Sequence, residues 1–137
     1  MITKEKLIGT WKLQSYTMME KNGEISYPLG KDCEAYLMYT EDGHVSAQMS
    51  KVGRRPYASK DLHDGTIEEM AEAAHGYMAY AGTYTLNLEK GTIMHNIEIS
   101  MNPTWEHQSQ VRYVNYDGEF LTITADVNAG CLVWGKV

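Results

Sequence analysis

Four dipeptides ending in glycine, Asn22-Gly23, Asp42-Gly43, Lys90-Gly91 and Asp117-Gly118, punctuate the chain. Each separates two runs rich in β-branched, aromatic and thioether side chains, the pattern that marks a β-hairpin. The runs cover 9–20, 24–28, 34–40, 44–51, 80–88, 92–101, 108–116, 119–127 and 131–136, so consecutive antiparallel hairpins account for most of the chain and the class is all-β. A flat sheet of that many strands in 137 residues would leave a long exposed edge, which closure removes. The expected architecture is an up-and-down antiparallel β-barrel of about eight to ten strands, forming one domain over residues 1–137.

One segment breaks the alternation. In "TIEEMAEAAHGYMAY" Ile67, Met70, Ala71 and Ala74 recur at helical spacing, Thr66 and Glu69 fit a capping box, and Gly76 suits the end. This predicts one helix over about 66–76 that plugs or flanks the barrel with its apolar stripe. A short helical turn, Lys4 to Ile8, precedes the first strand. Between the fourth run and the helix, "VGRRPYASKDLHDG" reads as a lid or a plain mobile loop.

The hairpin "AYLMYTEDGHVSAQM" poses a question of faces, because neither side of its first strand is polar. Alternation puts Ala35, Leu37 and Tyr39 on one side and Tyr36, Met38 and Thr40 on the other. Tyr36 and Met38 are taken as the cavity-lining pair, which leaves the second face to the helix, the loop or a second copy of the chain.

Composition narrows the functions. A formal charge of −6, with Arg54-Arg55 as the only arginine doublet, argues against nucleic acid or an anionic membrane as partner. No apolar run approaches the ~20 residues of a spanning helix, and "MITKEKLIGTW" lacks an apolar leader core, so a cytoplasmic location is expected. Cys33 and Cys131 match no metal spacing and read as two partly buried thiols. Ten Tyr, three Trp and nine Met against a single Phe describe an apolar interior that keeps hydrogen-bonding groups.

Candidate chemistry is sparse. The five histidines at 44, 63, 75, 95 and 107 show no zincin or finger spacing, so no metal is expected. His95 alternates with Ile93, Ile97 and Ile99, and reads as a hydrogen-bonded core residue, a proton-transfer group or a haem ligand. Glu98 lies on the other face, with Arg112 as its prospective partner if that face points inward. His95, Glu98 and Arg112 are therefore the candidate catalytic set. Tyr36, Met38, Gln48, Tyr80, Tyr84, Trp105 and Gln110 are the candidate ligand contacts, scattered polar groups in an apolar concavity. Gly82, between Tyr80 and Tyr84, leaves room for a ligand or another backbone. No nucleophile elbow, reactive-cysteine signature or phosphate loop is present, and no cofactor is expected.

The opening "GTWKLQSY" after a short helical turn resembles the Gly-x-Trp first strand of lipocalins. Taken with "YPLGKDCEAYLMYTEDGHVSAQM", "YMAYAGTYTL", "GTIMHNIEISMNPTW", "QVRY" and the terminal "LVW", the whole chain resembles the bacterial and fungal lipocalin-like domain family. The resemblance implies a small intracellular barrel with Trp11 at its closed end, often linked to secondary metabolism. It carries over His95, Glu98, Gln110 and Arg112 without assigning them roles. Gly135-Lys136 replaces the family's usual basic pair, and Thr104 and His107 stand where Asn and Gly are usual in the turn after the sixth run. The expected function is binding of a small hydrophobic or aromatic, polyketide-like molecule. The alternative is a cofactor-free isomerase, cyclase or dehydratase, and a homodimer is compatible with either.

Overall fold

The computed structural model describes residues 2–125 and 130–137. Eight strands, β1 (Gly9–Met19), β3 (Glu34–Tyr39), β4 (His44–Ser50), β5 (Tyr77–Asn87), β6 (Thr92–Ser100), β7 (Ser109–Tyr116), β8 (Phe120–Thr124) and β9 (Cys131–Lys136), follow one another in space as in sequence. All pair antiparallel, and β9 returns to pair with β1, which closes an up-and-down barrel. A two-residue strand, β2 (Ile25–Ser26), adds rungs to the far end of β1. The run expected at 119–127 is strand only to Thr124, and its last two residues lie outside the described ones. No helix among the described residues is long and apolar enough to cross a membrane.

Pairing through the Asp42-Gly43 turn decides the ambiguous hairpin. On β4, Val45, Ala47 and Met49 are buried and alternate with Ser46, Gln48 and Ser50, while Tyr39, Leu37 and Ala35 stand opposite the buried three. Tyr36 and Met38 consequently face outward, 44% and 41% exposed, which corrects their expected place on the cavity wall. Gln48 also points out, accepting a 2.6 Å hydrogen bond from the Tyr77 hydroxyl.

Two irregularities switch which residues face in. At Gln14 the β1–β9 ladder shifts by one, so Trp11 and Leu13 are followed inward by Tyr16 and Met18. On β6 the ladder to β5 skips Glu98, leaving Ile97 buried but Ile99 67% exposed, against the strict alternation expected of that strand. Glu98 is exposed and Arg112 buried, so the expected Glu98–Arg112 pair does not form. Gly82 sits opposite the bulge, where an added Cβ would lie only 1.9 Å from the Asn96 carbonyl oxygen. The space at Gly82 thus belongs to a neighbouring backbone.

One end of the barrel is sealed. Helix α1 (Lys4–Leu7) lies across it, Trp11 is fully buried, and its indole N–H donates to the Leu7 carbonyl at 2.8 Å. Lys136, where the family's usual basic pair would stand, places a cation here: its Nζ lies 4.7 Å from the centre of the Trp11 ring and donates to the carbonyls of Lys6 and Ile8. The other end carries helix α2 (Ile67–His75), with the capping box of Thr66 and Glu69 and the stop at Gly76 that the sequence indicates. Its apolar stripe does not pack on the barrel, for Ile67 is 83% exposed and Met70 44%. Polar ties hold it instead. Glu69 accepts from the backbone of Thr66 and Ala58, Glu72 pairs with Arg55, and Arg54 donates to the Ala73 carbonyl and lies over the Tyr77 ring. The long loop is thereby fastened to the helix. His107 adopts φ +59°, so the histidine takes the left-handed conformation a glycine would hold more cheaply.

Gly82→Ala is expected to lower unfolding free energy by ~1–3 kcal/mol through overpacking, read as a lower urea midpoint at unchanged m-value. A midpoint equal to that of the parent protein would show that the bulge yields without strain.

Candidate functional site

The sealed end and the bulges leave a hollow of about 250 Å³ in the open half of the barrel. Its walls are apolar, from Leu37, Ala47, Met49, Met78, Ile123 and Leu132, with Trp105 and Trp134 as the aromatic surfaces. Tyr16, Met78 and Trp105 also border a wider vestibule of about 590 Å³, roofed by Pro28 and Leu29, the end of α2 and the turn 100–103. Trp105 is placed there by a short 3-10 turn, Pro103–Trp105, which the Asn102 side chain caps by accepting from Thr104 N–H. The ring forms the threshold between hollow and vestibule.

The polar wall comes from β5, β6 and β7. His95 is 1% exposed and both ring nitrogens are engaged: Nε2 lies 2.7 Å from the Tyr39 hydroxyl and Nδ1 2.8 Å from that of Tyr80. Tyr39 is also buried, and His95 is its hydroxyl's single hydrogen-bond partner among the described residues. A buried O–H must donate somewhere. Tyr80 borders the hollow and can donate into it, whereas Tyr39 does not border it, so Tyr39 donates to Nε2. Nδ1 then carries the proton and donates to Tyr80 Oη, which leaves the Tyr80 O–H free to point into the hollow. Burial, then the charge of Arg112, pushes the imidazole down to about 3, so His95 is neutral at physiological pH. Burial raises both tyrosine hydroxyls, opposed at each by the Arg112 charge, and they too stay neutral.

Arg112 follows Gln110 inward on β7 and is only 8% exposed. Its guanidinium lies 5.7 Å from the centre of the Trp105 ring and makes long contacts to Gln110 Oε1 at 3.5 Å and the Val111 carbonyl at 3.4 Å. No carboxylate lies within 4.0 Å of it among the described residues. A cation so buried costs several kcal/mol unless countered. The Trp134 ring borders the same hollow, and its indole N–H, enclosed behind the wall, has no acceptor among the described residues. The described wall therefore offers donors from Arg112, Tyr80 and the Gln110 amide.

Of the residues singled out from sequence, His95, Arg112, Tyr80, Trp105 and Gln110 come together around this hollow. Tyr36, Met38, Gln48 and Glu98 face away from it because of strand parity. Tyr84 points inward on the sealed side, where its hydroxyl donates to the Thr40 carbonyl at 2.8 Å and its ring meets Tyr39 edge-on at 4.9 Å, and it does not line the hollow. Sequence reasoning missed Tyr39, Tyr16 and Trp134. The pairing of Tyr39 with Val45 was available from the hairpin turn, whereas Tyr16 depends on a bulge with no glycine to mark it. Cys33 and Cys131 are free, half-buried thiols. No cluster of three or more metal-ligating side chains occurs among the described residues.

The depressed His95 value has a pH signature. An unfolded histidine takes up a proton near 6.5, whereas folded His95 stays neutral down to about 3. Its contribution to stability is complete above the unfolded value and is lost as pH falls from about 6.5 toward the folded value. Urea unfolding between about pH 6.5 and 5 is expected to show a slope approaching ~1.4 kcal/mol per pH unit in the parent protein. His95→Gln, which shares the other histidines, should show a shallower slope. Parallel slopes would contradict the buried neutral imidazole.

Comparison with known proteins agrees with this architecture. The chain is 31% identical over 86 residues to the 4'-hydroxy-3'-methoxypropiophenone carrier protein ppsC of Aspergillus oryzae, a match covering 58% of this chain and 78% of the relative. The sequence profile of the lipocalin-like domain matches residues 8–132, from the start of β1 into β9. The chain belongs to the lipocalin-like domain family.

Proposed function

We propose that the barrel is a binding protein, a carrier for a small aromatic molecule bearing acceptor oxygens. The observation that carries this reading is the hollow itself, closed at the Trp11 end, open through the vestibule, apolar on most sides and donor-lined on one. An apolar cavity of ~150 Å³ accommodates benzene, so about 250 Å³ suits a substituted ring, with any side chain reaching past Trp105. The relative named for carrying 4'-hydroxy-3'-methoxypropiophenone, an oxygenated aryl ketone, points to the same ligand class.

Isomerase, cyclase or dehydratase chemistry would need an internal base near neutrality. His95 holds its proton-accepting nitrogen against Tyr39 and stays near 3, and Glu98 lies outside the barrel. These facts weigh toward binding.

Titration with 4'-hydroxy-3'-methoxypropiophenone is expected to quench tryptophan fluorescence saturably at one-to-one stoichiometry, since Trp105 and Trp134 border the hollow. Ala47→Phe, which fills the hollow from β4, should weaken binding at least about tenfold, ~1.4 kcal/mol, with the far-ultraviolet circular dichroism retained. Linear, unsaturable quenching in the parent protein would overturn the reading.

A further inference from the structure

The ligand-binding reading leaves open why a full positive charge is built into the wall of an apolar hollow. Arg112 is the one formally charged side chain lining it among the described residues, and its contacts to Gln110 and Val111 are long ones to neutral oxygens. Beside it, the Tyr80 O–H is a donor turned toward the hollow in want of an acceptor. A neutral ligand would accept from these donors but leave the cation without a counter-charge.

We propose that the hollow takes its ligand as an aryl oxyanion, the ionised hydroxyl of a ring conjugated to an electron-withdrawing group, with Arg112 as counter-ion and Tyr80 as hydrogen-bond donor. The proposal rests on the binding reading above and specifies the ionisation state bound. Ionisation breaks only the ligand's O–H bond, with the proton released to solvent, so no co-reactant is needed. An aryl oxyanion fits better than a carboxylate for two reasons. Its charge spreads over a ring that can lie against Trp105 and Trp134, so less hydration is lost on entry. A carboxylate brings two oxygens with about four acceptor sites and prefers the open fork of a guanidinium, whereas Arg112 already directs Nη1 toward Gln110 and Val111.

The other titratable groups facing this wall are Tyr16 from β1, Tyr39 from β3, Tyr80 from β5 and His95 from β6. Burial raises the three hydroxyls and lowers the imidazole, so all four are neutral around pH 7 and the ligand is the group that changes charge. Asp126 follows the wall residue Ala125 in sequence and lies outside the described residues.

The test uses 4-nitrophenol, whose phenolate absorbs at longer wavelength than the phenol, beside its neutral methyl ether 4-nitroanisole and the carboxylate 4-nitrobenzoate. Spectra of the protein-bound phenol are recorded as a function of pH. Bound 4-nitrophenol is expected to ionise at least one pH unit below the free probe, a tenfold preference for the anion, and Arg112→Gln should abolish the shift. Asp126→Asn should keep it. An unshifted or upward-shifted transition would overturn the proposal, as would a shift that survives Arg112→Gln. A shift present only in Asp126→Asn would show Arg112 already paired and have the same consequence, as would 4-nitrobenzoate binding more tightly than the phenolate. If Arg112→Gln fails to fold, the comparison of the phenolate with its neutral ether decides on the parent protein. Above the phenol's own pKa, 4-nitroanisole binding as tightly as the phenolate would overturn the anionic mode while leaving the binding reading intact. Binding of none of the probes, nor of the aryl ketone, would overturn both.

Discussion

Two tyrosine hydroxyls hold one imidazole at the centre of this barrel, and the polarity of the interior follows from that contact. Tyr39, sealed on the far side, has His95 as its hydroxyl's described partner, so its proton goes to Nε2. That choice forces the His95 proton onto the Tyr80 side and turns the Tyr80 O–H toward the hollow. The wall becomes donor-rich through this chain of obligations, with Arg112 adding charge to the same side. Buried polar networks of this kind tend to be all or nothing, because a half-satisfied one costs more than an apolar core. Here the unsatisfied end faces the hollow, as expected of a site that a ligand completes.

The barrel divides into a sealed half and an open half, and different interactions make each. On the sealed side Trp11, Lys136 and α1 close the end, and Tyr84 and Tyr39 meet edge-on behind it. On the open side α2 and its loop are held mainly by carboxylates and guanidinia, with their apolar side chains left outside. A roof tied by charge and hydrogen bonds can shift at less cost than one locked by a packed apolar face, since exposed ion pairs contribute little individually. The Trp105 ring then stands as the inner threshold, in edge contact with Tyr80 at 5.9 Å and under the Arg112 guanidinium.

Much of the fold was legible because turns and alternation are local signals. The Gly-containing turns, the capped helix and the Trp11 opening all stand where their residues indicate. The site was half legible. His95, Gln110 and Arg112 stand out as polar groups in apolar strands, but which way a strand faces depends on its neighbour. For Tyr36 and Met38 the answer lay across the turn, in the polar run Ser46, Gln48 and Ser50 that had to face outward. For Ile99 no such partner signal exists, because the bulge that turns it out arises from the close approach of the Gly82 and Asn96 backbones, whereas Glu98 faces out by plain alternation with Ile97. The exposed stripe of α2 is a further case: helical periodicity reports amphipathicity but not what covers the apolar face.

The protonation state of His95 tests this account most directly, and nitrogen NMR of the selectively labelled imidazole reports it without a ligand. The expected result is one neutral tautomer, with Nδ1 protonated and Nε2 bare, unchanged across about pH 5 to 8, where an ordinary histidine would titrate. An imidazole that titrates near 6.5, or averages its two tautomers, would mean that the Tyr39–His95–Tyr80 chain is not a fixed feature of the interior and would contradict the account.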